Sequence, residues 1–174
     1  QDFYNDNMDF YEAMVNRVYD SLENLDLIKD LEDYYRMQKD EYNIILSPLQ
    51  NGGYGPQVET ADGRLKIYGI IGPNQIDKNG IPIFSTEYIK SIVWHEFSHS
   101  FANPLTDKHW SEIKKYSSLF KPISSQMGAM AYGNWQICIN EHVVRAVAAR
   151  LTYMLSGEGE GDKVIRNERA NGFA

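Results

Sequence analysis

The segment Ser85-Thr-Glu-Tyr-Ile-Lys-Ser-Ile-Val-Trp-His-Glu-Phe-Ser-His-Ser-Phe-Ala102 decides both the fold and the chemistry that we predict for this chain. Ser85 or Thr86 is a suitable N-cap, and Asn103-Pro104 is expected to end the helix. Between these signals, apolar residues recur at helical spacing on more than one face. We therefore predict a largely buried helix of about four to five turns.

The middle of this helix contains the pattern HExxH, formed by His95, Glu96 and His99. Residues four apart lie one turn above each other, so both imidazoles project toward one point, where each can give a nitrogen to Zn²⁺. Glu96 is rotated about 100° from His95, which excludes it as a third ligand on that face but suits a general base that activates water. A pair of hydrogen-bonded core histidines is the alternative, and the full pattern inside a capped helix favours the metal.

A catalytic zinc site also needs a third protein ligand and an open position. The continuation HExxHxxGxxH is absent from the sequence, because Ala102 and Leu105 stand where it requires Gly and His. A second strong helix is predicted from Trp135 to Leu155, and it contains two candidates, Glu141 and His142.

Helical phase favours Glu141, which lies at the edge of the predicted core-facing arc, whereas His142 points about 100° away. That arc consists of Ile137, Val144, Ala148, Leu151 and Leu155. An unpaired buried carboxylate is costly, so Glu141 needs a partner such as zinc, with Arg145 one turn on to orient it. A surface salt bridge from Glu141 to Arg145 is the alternative, and His142 stays open as a ligand or hydrogen-bond donor.

The two motifs together carry a resemblance to known families. HExxH on one helix with a glutamate ligand on a later helix resembles the gluzincin metallopeptidases. More closely, His95-Glu-Phe-Ser-His-Ser-Phe-Ala-Asn-Pro104 with Glu141-His-Val-Val-Arg-Ala146 is similar to a bacterial family catalogued as a domain of unknown function with a predicted zincin site. The resemblance runs from about residue 46 to 155. It implies a zinc peptidase-like fold, with His95, His99 and Glu141 as ligands, Glu96 as base, and no known substrate.

The expected activity is zinc-dependent hydrolysis of a peptide or protein substrate, by a metal-activated water with Glu96 as general base. One further donor should stabilise the oxyanion, and the polar candidates are Tyr132, His142, Tyr153 and His109. Two other functions remain open: a zinc-containing binding or scaffold domain without turnover, and a zinc hydrolase of a non-peptide amide. The presence of Glu96 favours an enzyme.

In zincins a substrate binds as an added strand at a sheet edge beside the active-site helix. Arg64–Ile71 is the candidate for that edge strand, and Gly52–Gly55 is the candidate for a loop over the cleft. An ordinary sheet and turn is the alternative for both segments.

The remaining patterns predict an α+β, zincin-like fold, dominated by helices, with a small sheet before the HExxH helix. The first forty residues are helical in pattern, Asn43–Pro48 and Arg64–Ile71 are typical of strands, and Asp107–Phe120 is a weaker helix. Gly157–Gly161 is expected to be a flexible acidic spacer. We predict a helical segment at residues 1–41 packed on a catalytic domain at residues 42–174, as a single compact unit.

The composition of the chain excludes several kinds of partner and site. The chain of 174 residues has 24 acidic and 17 basic residues, a net charge of −7, which argues against nucleic acid or an anionic membrane surface as a partner. Its one cysteine, Cys138, excludes an intrachain disulfide framework and a Cys-rich zinc finger. No apolar run approaches the roughly 18 to 20 residues of a membrane span. The nearly Cys-free composition, rich in Tyr and Asn, favours an exported bacterial protein, secreted or periplasmic.

Overall fold

The computed structural model describes residues 2–173 and shows a mixed α+β, helix-dominated chain with a small sheet before the HExxH helix, as predicted. The helices are α1 (Asp2–Asp6), α2 (Met8–Leu22), α3 (Leu27–Tyr35), α4 (Thr86–Lys108), α5 (Trp110–Ile113), α6 (Ser124–Ala129), α7 (Trp135–Ser156) and α8 (Glu158–Ala170), with a 3₁₀ segment at Lys114–Ile123. The strands are β1 (Glu41–Leu46), β2 (Gly53–Tyr54), β3 (Gln57–Glu59), β4 (Leu65–Ile71), β5 (Gln75–Ile76) and β6 (Pro82–Ile83).

The chain divides into two compact units, the first ending at Phe97 and the second beginning at Ser98, so the boundary falls within α4. The predicted division into a helical segment at residues 1–41 and a catalytic domain at residues 42–174 stays a prediction. Among the helices of residues 2–173, none combines the length and the apolar character that crossing a bilayer requires.

β4 is the central strand of the sheet in the first unit. It pairs in parallel with β1, from Glu41 opposite Lys66 to Leu46 opposite Ile71, and antiparallel with β2 and β3 on its other side. The prediction that Arg64–Ile71 is an edge strand is therefore wrong. Its alternate residues, including Ile67 and Ile71, are fully buried, and a strand buried in this way takes neighbours on both sides. On the side of β4 opposite β1, the edge of the sheet is formed by β2 and β3.

The first half of α4 packs on this sheet through a gap at Gly69. A Cβ built on Gly69 would lie 3.1 Å from the ring of Phe97, and that ring also packs against Tyr42 of β1 with centroids 5.2 Å apart. Phe97 and its neighbours Val93 and Trp94 are completely buried. The apolar residues that predicted a largely buried helix therefore form part of a core with the sheet.

α4 continues through Pro104 to Lys108, so the predicted end at Asn103-Pro104 is wrong. Proline removes one backbone donor, but it leaves the following turn able to bond. The Thr106 hydroxyl can donate its single proton to either of two oxygens, the Asn103 carbonyl at 2.9 Å or the Asn140 side-chain oxygen. Either side-chain bond adds to the helix beyond the proline. The weaker helix predicted at Asp107–Phe120 is divided among the end of α4, α5 and the 3₁₀ segment.

α7 matches its predicted range to within one residue. Asn134 caps its first turn by accepting a hydrogen bond from the Ile137 amide at 2.9 Å, and Gly157 ends it at a φ of +93° that suits glycine. The buried face is shifted slightly from the predicted arc, because Ile137 and Leu155 are 45% and 51% exposed. Val144, Ala148 and Leu151, in the middle of the arc, are buried as predicted, and Glu141, which was predicted at the edge of the arc, is only 4% exposed.

α8 begins directly after Gly157, so the prediction of a flexible acidic spacer is wrong. Glu158 and Glu160 lie in its first turn, where negative charge is favourable next to the positive end of the helix. Gly161 faces Tyr153 of α7, and a Cβ built there would lie 2.7 Å from the Tyr153 Cβ. The glycines that suggested flexibility instead include one that lets two helices pack closely.

Candidate metal centre

The three residues that the sequence predicts as metal ligands lie close together in the structure. His95, His99 and Glu141 each offer one ligand atom, and these atoms all lie within 4.8 Å of one another. His95 and His99 stand one turn apart on α4, as the spacing of the motif requires. Glu141 is contributed by α7 and is almost completely buried. The group can hold a metal ion.

The ring of His99 is oriented by its neighbour one turn on. Its Nδ1 lies 3.2 Å from Oδ1 of Asn103, and because an amide oxygen only accepts, Nδ1 carries the proton. In the neutral ring the other nitrogen, Nε2, then has the lone pair, and it lies 3.7 Å from Oε2 of Glu141. Histidine ligands in metal sites usually donate the second ring nitrogen in this way, which fixes the tautomer that a metal needs.

The other oxygen of Glu141 is held by two side chains. Oε1 accepts a hydrogen bond from the Tyr132 hydroxyl at 3.0 Å, and it is approached by Arg145 through Nε at 2.7 Å and Nη2 at 2.6 Å. The predicted contact from Arg145 is confirmed, whereas the hydrogen bond from Tyr132 was missed. Tyr132 comes from the turn before α7, and no spacing pattern in the sequence connects it to position 141.

Arg145 is itself held between two carboxylates. Its Nη1 donates to Oε2 of Glu168 in α8 at 2.8 Å, and its guanidinium lies 4.0 Å from the centre of the Phe173 ring. Burial opposes the charged form of Arg145, but the charges of Glu141 and Glu168 outweigh it and raise the pKa of Arg145 above its ordinary value. Burial, together with the charge of Glu141, also raises the pKa of Tyr132, so its hydroxyl keeps the proton that it donates.

Glu96 is buried at 7% exposure and lies directly under β2. A Cβ built on Gly53 would lie 2.5 Å from its Oε1, and a Cβ built on Gly55 would lie 3.0 Å from its Oε2 and 2.6 Å from its backbone carbonyl oxygen. Gly55 is therefore required for this close approach, because it faces a backbone atom, whereas the atoms closest to Gly53 belong to the Glu96 and Ile92 side chains. The predicted loop at Gly52–Gly55 is in part strand β2, and it crosses the Glu96 carboxylate.

Comparison with known proteins shows one relationship. The chain belongs to the DUF4932 family. The family model, described as "Domain of unknown function (DUF4932)", matches residues 1–174. No curated protein and no solved structure matches the chain.

The other candidates of this DUF4932 chain lie outside the three-residue group. His142 donates its Nδ1 proton to the Cys138 carbonyl at 2.8 Å and packs against the Phe173 ring, with centroids 5.1 Å apart. It is therefore bound within its own helix and the adjacent core. Tyr153 packs against Gly161 and under the guanidinium of Arg150 at 5.3 Å. Among the described residues, the metal-ligating group includes His95, His99 and Glu141 but not His142 or His109.

Cys138 is completely buried in α7, in agreement with its interpretation as a small core residue. It packs in a cluster with Met127 and Phe173, which also contacts the ring of Tyr132. Burial and the nearby Glu141 charge raise the pKa of the Cys138 thiol, so it is protonated and unsuited to metal binding.

Proposed function

We propose that this DUF4932 chain is a zinc-dependent metallopeptidase of the gluzincin type with a zincin-like fold. In this proposal His95, His99 and Glu141 hold the metal, and Glu96 is the general base. The observation that supports it best is the group of three ligand atoms within 4.8 Å, of which two come from an HExxH helix. Two imidazoles and one carboxylate with an open fourth position form a ligand set of catalytic zinc.

One pair of donor atoms in the group has a spacing close to that of two zinc ligands. Two ligands on a tetrahedral zinc, each at roughly 2.0–2.1 Å, lie about 3.3–3.4 Å apart. Nε2 of His99 and Oε2 of Glu141 are separated by 3.7 Å, which differs from this by a few tenths of an ångström. Bound zinc supplies Lewis acidity toward a carbonyl group and toward water.

The proposed part of Glu96 is proton transfer. Its carboxylate accepts one proton from the attacking water and later donates it to the nitrogen of the leaving amine, so the carboxylate is regenerated in each cycle. The burial of Glu96 beneath Gly53 and Gly55 supports this role, because the strand above it holds the carboxylate in place.

The proposed substrate is an extended peptide that adds to the edge of the sheet at β2 and β3. Both strands pair with β4 on one side, and among the described strands none pairs with their other side. Because β2 crosses Glu96, a peptide added at this edge runs past the general base. The edge that we propose for the substrate is therefore Gly53–Glu59 instead of Arg64–Ile71.

The test combines metal analysis with peptide cleavage. Purified protein is expected to contain one zinc per chain by mass spectrometry and to cleave a mixed peptide library. Glu96→Gln should retain the zinc and lose cleavage by about 10²–10⁴-fold, since it removes the proton acceptor alone. Glu87→Gln, an exposed acid in the first turn of the same helix, is the matched control and should cleave normally.

The outcomes separate the alternatives. One zinc per chain with no cleavage that depends on Glu96 would favour a zinc-containing scaffold. Glu96-dependent hydrolysis of a non-peptide amide panel, without peptide cleavage, would favour that substrate class. A protein that binds no zinc would contradict the proposal as a whole. An exported location is proposed on composition alone, and fractionation of the native bacterium into medium, periplasm and cytoplasm tests it.

A further inference from the structure

We propose that Tyr132 and Glu168 are positioning residues of the metal centre, which act with Arg145 to hold Glu141 so that its Oε2 alone faces the metal. The inference rests on the proposed metal ligands, but it does not depend on the reaction being peptide hydrolysis. All of the residues involved lie in the second unit.

The two oxygens of Glu141 have different surroundings. Oε1 receives three donor atoms, the Tyr132 hydroxyl at 3.0 Å and the Arg145 Nε and Nη2 at 2.7 and 2.6 Å. Oε2 is the oxygen that lies near Nε2 of His99. Charge-assisted bonds of this length are the stronger class of hydrogen bond, so they favour one orientation of the carboxylate. That orientation gives Oε2 to a metal shared with His99 and keeps Oε1 on the opposite side.

Arg145 alone cannot provide this orientation, because it is a long side chain with many rotamers. In the structure it is restrained from behind by α8 and by the chain that follows. Glu168 accepts its Nη1 at 2.8 Å, and Phe173 lies beneath the guanidinium plane at 4.0 Å. The side chains of Arg145 and Glu168 are only 22% and 25% exposed, so the pair is largely shielded from water. Glu168 therefore acts on Glu141 through Arg145.

Tyr132 reaches Glu141 from a constrained turn. Ala131, the residue before it, has a φ of +70°, which residues other than glycine rarely adopt. The Tyr132 amide closes the turn by donating to the Met127 carbonyl at 2.8 Å. A strained residue persists only where its surroundings hold it, and it often marks a functional position. The Tyr132 hydroxyl that follows this turn lies on Oε1 and adjacent to Arg145, whose Nη2 is 3.4 Å away.

Residues that orient a metal ligand typically change metal affinity by about 10- to 100-fold when they are altered. We therefore expect Tyr132→Phe and Glu168→Gln each to weaken zinc binding by about 10-fold, measured by competition with a chromophoric chelator. The matched controls are Tyr116→Phe and Glu160→Gln, an exposed tyrosine and an exposed acid on α8. Both controls should bind zinc as the unaltered chain does.

The route through Arg145 has its own test. As a single substitution, Glu168→Gln should weaken zinc binding. In a chain that already carries Arg145→Gln it should have no further effect, because Glu168 then has no guanidinium to hold. Replacement of zinc by Co²⁺ gives a second readout, since its visible absorption reports coordination. A carboxylate released from its partners can bind through both oxygens, so Tyr132→Phe and Glu168→Gln should weaken the visible band.

The results distinguish failure of this inference from failure of the metal site. If Glu141→Gln leaves zinc affinity unchanged, the ligand assignment itself is wrong. If Glu141→Gln weakens binding while Tyr132→Phe and Glu168→Gln bind zinc normally and give the same Co²⁺ spectrum, the ligand is right and the positioning role is wrong. A thermal unfolding curve of each metal-free variant identifies misfolding. Should Glu168→Gln unfold, Tyr132→Phe and the Arg145→Gln background still decide the question.

Discussion

The histidine pair and the glutamate of the candidate metal centre differ in how they are positioned. The residues that position the histidines are close to them in sequence, whereas some of those that position the glutamate are distant. His95 and His99 are placed by the period of one helix, and Asn103 orients the second of them from the next turn. Glu141 is placed by α7 and held by Arg145 one turn on, but Tyr132, which also holds it, and Glu168, which restrains Arg145, lie outside that helix. The histidine pair is therefore a local structure, whereas the glutamate depends on tertiary packing. The difference predicts that changes far from the metal reach the glutamate and spare the histidines.

The largest expected effect comes from removing a ligand of the local pair. Structural zinc sites bind with about 10–16 kcal/mol, so one of three protein ligands accounts for roughly a third of that free energy. His99→Ala should raise the zinc dissociation constant by on the order of 10³-fold or more. His109→Ala, a histidine outside the group, is the control. Equal zinc affinity of the two variants in chelator competition would show that the pair is not a metal site.

The second effect tests the tertiary contribution. Phe173 is 6% exposed and supports Arg145 while it packs with Met127 and Cys138. Phe173→Ala should lower the free energy of unfolding by about 3–5 kcal/mol and weaken zinc binding in the folded fraction. Urea unfolding and chelator competition measure the two changes. Phe3→Ala, at a position 73% exposed, should alter neither.

This prediction can also fail in an informative way. If Phe173→Ala loses stability but binds zinc with unchanged affinity, Glu141 does not depend on its support. The proposed difference between the histidine pair, held by local structure, and Glu141, held by tertiary packing, would then be wrong.

The smallest effect concerns the packing of α8 on α7, for which the chain provides a matched pair. A Cβ at Gly161 would meet Tyr153 at 2.7 Å, whereas at Gly159, in the same helix, nothing lies within 4 Å. Gly161→Ala should destabilise the protein by about 1–3 kcal/mol through overpacking. Gly159→Ala should stabilise it by up to about 1 kcal/mol, because alanine favours helix. Denaturant unfolding gives both values, and two changes of the same sign would contradict the packing described for Gly161.

Several elements were predictable because their determinants are local. The HExxH helix and α7 carry long apolar periods and clear start signals, and the burial of Glu141 followed from helical phase. Pro104 and Gly157–Gly161 misled the prediction, since both are local signals for a break. Their helices continue because a side-chain bond from Thr106 supports one and close packing against Tyr153 supports the other. The central place of β4 was unpredictable, because strand order depends on which segments meet in space.

The sequence by itself determined the chemistry available to this protein: two imidazoles on one helical face, a carboxylate beside the first, and a glutamate on a second amphipathic helix. The helical period decides those placements, and it acts over a few residues. Only the tertiary structure decided which oxygen of Glu141 faces His99, that Tyr132 and Glu168 share its orientation, and that β2 lies over Glu96. These contacts join residues whose separation along the chain carries no periodic signal, so folding of the whole chain sets them.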